Sequence, residues 1–146
     1  MTTFVRWVYD DGGRAAAGFN GRSSGDCACR AIAIATGKPY RQVHDQLNAL
    51  CALYDDNALR FLYGWQHKRR PSADTGIPDR IARLYLGTLQ WRWIATNNAR
   101  LHRCDLPAGR IIVVVSKHLV ALVDNVVHDT GEHWRGHRPV HGYYQA

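Results

Sequence analysis

Of the four cysteines in this 146-residue chain, Cys27 stands where a thiolate is favoured. Ser23-Ser24-Gly25-Asp26 leads into it, three turn formers and an acid, and the small apolar run from Ala28 to Thr36 follows until Gly37 stops it. The run is helix-compatible, which puts Cys27 in a first helical turn. Unpaired backbone N–H groups and the positive end of the helix dipole then face its sulfur. Such surroundings favour the thiolate, the nucleophilic form of cysteine. Cys29, two residues on, points elsewhere on a helix and reads as core; Cys51 belongs to a second helix and Cys104 to a loop.

A thiolate that attacks carbonyls works with an imidazole held by a carboxylate or amide. Hairpin geometry selects among the eight histidines. The apolar runs Lys117–Val123 and Val126–Asp129 flank Asp124-Asn125, two residues that tolerate positive φ, and so read as strands joined by a two-residue turn. Val123 then pairs with Val126, and Val120 with Asp129. His118 shares the Val120 face and is the diagonal neighbour of Asp129, about 7–8 Å away at the backbone. His128 points to the other face, and Asp124 is a turn residue at the far end. A three-residue loop would reverse the parity and turn Asp129 away.

Other residues carry weaker chemistry. Histidines recur every four residues in Glu132–His141, but Gly136 and Pro139 oppose the helix that a metal site there needs. Neither a metal nor a cofactor is expected. Trp134 reads either as a wall shielding the His118–Asp129 pair or as ordinary sheet packing. Trp91 and Trp93 share a strand face, which fits core packing better than base stacking.

The elements that must position Cys27, His118 and Asp129 follow from pattern. Phe4–Tyr9 alternates as a strand and ends at Asp10-Asp11-Gly12-Gly13; Arg14–Phe19 is a short strand or a covered loop. Asp26 or Ser24 caps the cysteine helix. A second helix starts with Pro39 just inside it and buries Val43, Leu47, Leu50 and Leu53 or Tyr54. A further helical turn or two is expected within Asp55–Tyr63, and an exposed loop over 64–75. A third helix follows Gly76-Ile77-Pro78, with Ile81, Leu84, Tyr85 and Leu89 on one face. The period then switches to two: a strand at Trp91–Ile94, a central β-branched strand at Arg110–Val115, the hairpin, and a last strand at Pro139–Tyr144. Helices first and an antiparallel sheet after them make one α+β domain over 1–146.

Composition narrows the setting. No window approaches the ~18 apolar residues that a membrane span needs, and the N-terminus lacks a signal-peptide layout. The unevenly spaced cysteines suit free thiols in a reducing compartment. A cytoplasmic protein is therefore expected. The net charge of +7 is spread along the chain apart from His67-Lys68-Arg69-Arg70. That cluster reads as a docking surface for an acidic protein; nucleic-acid binding through the basic surface and tryptophans is the alternative.

Gly25-Asp26-Cys27-Ala28-Cys29-Arg30-Ala31 and the stretch from His118 to Thr130 resemble the papain-like cysteine peptidases, in the order Cys on a helix start, His on a strand, Asp after a hairpin. More specifically they resemble the bacteriocin-leader-processing peptidases, with their Asp-Cys motif before a small-residue helix. They also resemble small proteins of bacteria and their phages with GDCxxRAIAIATGxPY and HLVAVxDGVxHDT segments, where a GYW-like end corresponds to Gly142-Tyr143-Tyr144. The resemblance implies a papain-like fold and a bacterial host cell. It implies a thiol hydrolase acting on a peptide or isopeptide bond, with Cys27 as nucleophile, His118 as base and then acid, and Asp129 orienting His118. The Cys27 N–H and an upstream amide would form the oxyanion hole. Papain-like enzymes carry a glutamine about six residues before the cysteine, whereas position 21 here is Gly and the nearest amide is Asn20. A binding module that keeps the fold without efficient catalysis is the second expectation.

Overall fold

A computed structural model describes residues 6–20, 25–61, 64–65, 69–97, 99–100, 106–116, 118–131 and 139–146. Four helices and a six-stranded sheet make an α+β fold: β1 (Arg6–Tyr9), α1 (Cys27–Thr36), α2 (Tyr40–Ala52), α3 (Asp56–Phe61), α4 (Asp79–Thr88), β2 (Arg92–Ala95), β3 (Arg110–Val115), β4 (His118–Val123), β5 (Val126–Asp129) and β6 (Val140–Gln145). The strands are ordered β1-β5-β4-β3-β6-β2. The sheet is mixed rather than antiparallel, because the N-terminal strand lies parallel to β5, Arg6 opposite Val126 and Tyr9 opposite Asp129. Periodicity marked this segment as a strand but carries no information about a partner more than a hundred residues away.

The β-branched run of β3 is explained by its place in the middle of the sheet, between β4 and β6. Both of its faces are buried. Ile112 and Val114 join Leu119, Ala121 and Tyr144 under the helices, against Ile32, Val43, Leu47 and Leu86. Ile111, Val113 and Val115 face the other way with Val120, Leu122, Val127 and Val140. A strand buried on both sides has no reason to alternate polar and apolar residues.

Helix α1 is buried on nearly every side, with Ala28, Cys29, Ala31, Ile32, Ala33 and Ala35 all in the core. Its alanines allow close packing on the sheet, and Gly37 ends it in the left-handed conformation at φ 73°, its N–H bonding to the Ala33 carbonyl. Helix α2 buries Tyr40, Val43, Leu47 and Cys51, one stripe at helical spacing. Leu50 packs at the edge of that stripe, while Leu53 lies past the helix end and is exposed. In α4 the buried face is Ile81, Ala82, Tyr85 and Leu86. Leu84, expected on that face, is exposed; the stripe is turned by one residue, toward α2 and β2. The segment after β1 forms hydrogen-bonded turns from Gly13 to Phe19, a covered loop rather than a strand, and Phe19 packs on Tyr40 and His44 of α2.

Helix α1 and strand β4 run alongside each other in the same direction. Arg110, paired with Val123 at the end of β4, donates to the carbonyl of Ile34 near the end of α1. Ten helical residues span about 14 Å and six strand residues about 17 Å between end Cα atoms. The start of α1 therefore comes level with the start of β4, and Cys27 meets His118.

Candidate active site

The hairpin turns at Asp124-Asn125, with φ of 48° and 65°, and keeps the register Val123–Val126, Leu122–Val127 and Ala121–His128. Positive φ at both central residues gives the twist that a two-residue hairpin needs. Asp124 closes the turn by accepting the Gly109 N–H at 2.8 Å through its side chain. Continuing that register sets Val120 opposite Asp129 and brings His118, the first residue of β4, toward Asp129, the last of β5. The His118 Nε2 atom lies 2.7 Å from Asp129 Oδ2. His128 faces away and bonds to Asp10 instead, Nδ1 to Oδ2 at 2.9 Å.

With Nε2 engaged by Asp129, Nδ1 is the nitrogen that His118 has left for a second partner. The Cys27 sulfur feels His118 and the backbone N–H of Leu119, both of which favour its thiolate form. Burial opposes a charge on Cys27, but the His118 hydrogen bond, the imidazolium charge, the Leu119 N–H and Arg30 outweigh it and hold the thiol below its ordinary value. Burial likewise opposes charging His118, yet Asp129 and Cys27 raise the imidazole to about 9. The Asp129 carboxyl is lowered in spite of burial by His118, the Thr130 N–H and Arg30. These directions agree on a thiolate–imidazolium pair backed by a carboxylate. Cys29 is the contrast. Burial pushes its thiol up to about 12, and Cys51, buried against Leu59 and Ile81, is also raised.

Asp26 occupies the N-cap position of α1 but makes no capping hydrogen bond. Its carboxylate turns inward, 1% exposed, to the Arg30 guanidinium one helical turn on, to Tyr40 Oη at 2.7 Å and to Arg14 Nε at 3.4 Å. Desolvating a carboxylate is tolerable only with such partners. Asp26 thus gives the first N–H groups of α1 no side-chain cap, and the first helical bond runs from Arg30 N–H to the Asp26 carbonyl. Gly25 is required by close approach: a Cβ there would sit 2.5 Å from the carbonyl carbon and oxygen of Thr75. The Ser72–Gly76 turn, closed by reciprocal backbone bonds at 2.9 Å, thus packs against the residue just before Asp26-Cys27.

Asn20 is exposed. Arg69 is exposed too, its carbonyl accepting the Trp65 indole N–H at 2.8 Å. Arg70 is already engaged, with Asp56 at 2.7 Å and the carbonyl oxygens of Cys51 and Tyr54, so it fastens its loop to α2 and α3. Ser24, Lys68, Cys104, Trp134 and the histidine-rich stretch 132–138 lie outside the described residues.

The chain matches no protein-family model, no curated protein and no solved structure.

A cavity of about 120 Å³ opens between α4 and the sheet, with Ala82, Trp93, Val114, Leu119 and Tyr144 in its wall beside the polar Asp79, Arg83 and His141. Arg83 stacks over Trp93 at its rim, 4.8 Å from the ring centre. Leu119 connects this cavity to the thiol, its N–H among the groups that favour the Cys27 thiolate and the residue itself in the cavity wall. Sequence reasoning missed this cavity and also missed Arg30 and Tyr40. For Arg30 a signal existed: Asp26 and Arg30 stand four apart, the spacing of a helical ion pair. No helix among the described residues is long and apolar enough to cross a membrane.

Proposed function

We propose that this chain is a thiol hydrolase of papain-like type that cleaves a peptide or isopeptide bond. The observation that carries the reading is His118 held between the Cys27 sulfur and the Asp129 carboxylate, with its Nε2 on Asp129. In the first step the Cys27 thiolate attacks the carbonyl carbon and forms a C–S bond. The carbonyl electrons move to oxygen, which the N–H of Cys27 at the start of α1 is placed to receive as a hydrogen-bond donor. Collapse of that adduct breaks the C–N bond, and the His118 imidazolium gives its proton to the departing amine. Water then attacks the thioester as neutral His118 takes its proton; the C–S bond breaks, releasing the acid and restoring the thiolate–imidazolium pair.

The cavity walled by Leu119 and Val114 supports a peptide substrate, since Leu119 follows His118 directly in the chain and the apolar part of the wall suits a side chain flanking the scissile bond. An acidic partner remains the proposal for the loop before Ser72. Arg69 carries it among the described residues, because Arg70 is engaged with Asp56. Replacing Arg69 with Glu should weaken capture of an acidic substrate in a salt-sensitive way; unchanged capture would remove the loop from this role.

The decisive test is selective alkylation. Iodoacetamide at neutral pH should label Cys27 at least tenfold faster than Cys29 or Cys51, and His118→Ala should abolish the advantage. Equal rates on all three would sink the thiolate–imidazolium pair. A second reading draws on Asn20, the exposed upstream amide, one residue off the position of the usual glutamine and one methylene shorter: a papain-like binding module with little turnover. An activated Cys27 that acylates once with an activated ester and then fails to turn over would favour it.

A further inference from the structure

The contacts around Cys27 form a row of alternating charge. Arg14 touches Asp26, Asp26 touches Arg30, Arg30 touches Asp129, Asp129 touches His118, and His118 touches Cys27. Arg30 is its central member and its side chain is only 11% exposed. One guanidinium nitrogen, Nη1, is on Asp26; the other, Nη2, lies 3.4 Å from Asp129 Oδ1. That same Oδ1 accepts the Thr130 N–H at 2.8 Å, which leaves Oδ2 to His118. Without a cation between them, Asp26 and Asp129 would be two buried carboxylates contributing like charge to one site. A planar fork can hold two carboxylates at fixed angles, and an ammonium cannot.

Resting on the thiol-hydrolase reading, we infer that Arg30 is a positioning residue for it: the fork fixes which oxygen Asp129 presents to His118, and Asp26 sets how much of the Arg30 charge reaches the site. Two effects follow with opposite signs. Losing the Arg30 charge removes the cation that Asp129 and Asp26 share, raises the net negative charge of the row and disfavours the thiolate. Losing the Asp26 charge while keeping its shape leaves Arg30 less neutralised and favours the thiolate. The other groups facing this row are Tyr40 from α2, which bonds Asp26, and the Asp10–His128 pair beside Asp129 across β1 and β5. All of them are retained in both variants.

The test is the pH profile of Cys27 alkylation by iodoacetamide, read by peptide mapping, in the full chain and in Arg30→Met, Arg30→Lys and Asp26→Asn, with thermal melts alongside. Arg30→Met should move the profile at least one pH unit upward, a tenfold loss of rate at a pH below both midpoints, and Asp26→Asn should move it downward. Arg30→Lys should keep the position of the profile, by retaining the charge, while hydrolysis of a reporter amide falls because the fork is lost. A purely structural Arg30 would lower melting temperatures and shift Arg30→Met and Asp26→Asn in the same direction, or shift neither; either result overturns the inference. If Arg30→Met does not fold, an upward shift or no shift in Asp26→Asn overturns it equally. A wild-type Cys27 no more reactive than a free thiol overturns the hydrolase reading along with it, whereas an activated wild-type Cys27 with same-sign variants overturns the positioning role alone.

Discussion

His118 Nε2 lies 2.7 Å from Asp129 Oδ2 although a hairpin separates the two residues. The strand order makes this pair the end of β4 and β5 away from the turn. The start of α1 reaches the same end. Reactivity at Cys27 is thus tied to the register of a hairpin to which it does not belong.

The pH dependence expected of the proposed hydrolysis follows from two directions. Cys27 is held below the ordinary thiol value and His118 is raised to about 9. The thiolate–imidazolium pair exists between them. A bell-shaped kcat/KM is expected, its acid limb below the usual thiol range and its alkaline limb near pH 9, where His118 loses the proton it must give to the leaving amine. Steady-state rates on a fluorogenic peptide amide between pH 4 and 10.5 measure both limbs.

Stability should respond to pH at the same pair. The His118 pKa is raised on folding, so its contribution is complete below about 6.5 and disappears as pH rises through about 9. The Asp129 pKa is lowered, so its contribution is present above about 4 and disappears as pH falls through the folded value. Asp129→Asn should therefore destabilise most between about pH 4 and 6.5 and least above pH 9. Urea melts of wild type and variant at pH 5.5 and 9.5 compare the two windows; a loss larger at 9.5 contradicts the sign.

Gly25→Ala should be costly for a steric reason. The new Cβ would lie 2.5 Å from backbone atoms of Thr75, and backbone cannot rotate away as a side chain can. Overpacking of this kind costs about 1–3 kcal/mol, and relief requires the Ser72–Gly76 turn to move off the residue before Asp26. Denaturant melts read the loss, and iodoacetamide labelling should show slower alkylation of Cys27 than in wild type.

Asp124→Ala should weaken the hairpin. It removes the acceptor for the Gly109 N–H and leaves a residue at φ 48° without the local hydrogen bonding that helps Asp tolerate that region. Together these cost about 1–2 kcal/mol. The measurement is the urea midpoint, together with hydrogen exchange at Val123 and Val126, which should quicken more than exchange in α2.

Several features were legible in the sequence because local rules govern them. Two turn residues that accept positive φ set the parity of β4 and β5, and parity selected His118 and Asp129 over His128 and Asp124. A glycine stop and an unbroken small-residue run marked α1, and with it the place of Cys27. The β-branched run of β3 announced a strand buried on both faces. Tertiary structure alone decided the rest. Nothing local in Arg6–Tyr9 points to β5, since parallel pairing is chosen by the edge left open and by the chain's path to it. Asp26 has the type and position of a helix cap, and it became the buried partner of Arg30, Tyr40 and Arg14 because packing α1 against α2 and the loop after β1 left three donors around one carboxylate. Arg70 looked free in a basic cluster until the fold set Asp56 and two carbonyl oxygens around it. Periodicity specifies which face of an element is apolar; which charges meet there depends on distances between elements, and only the packed chain has those.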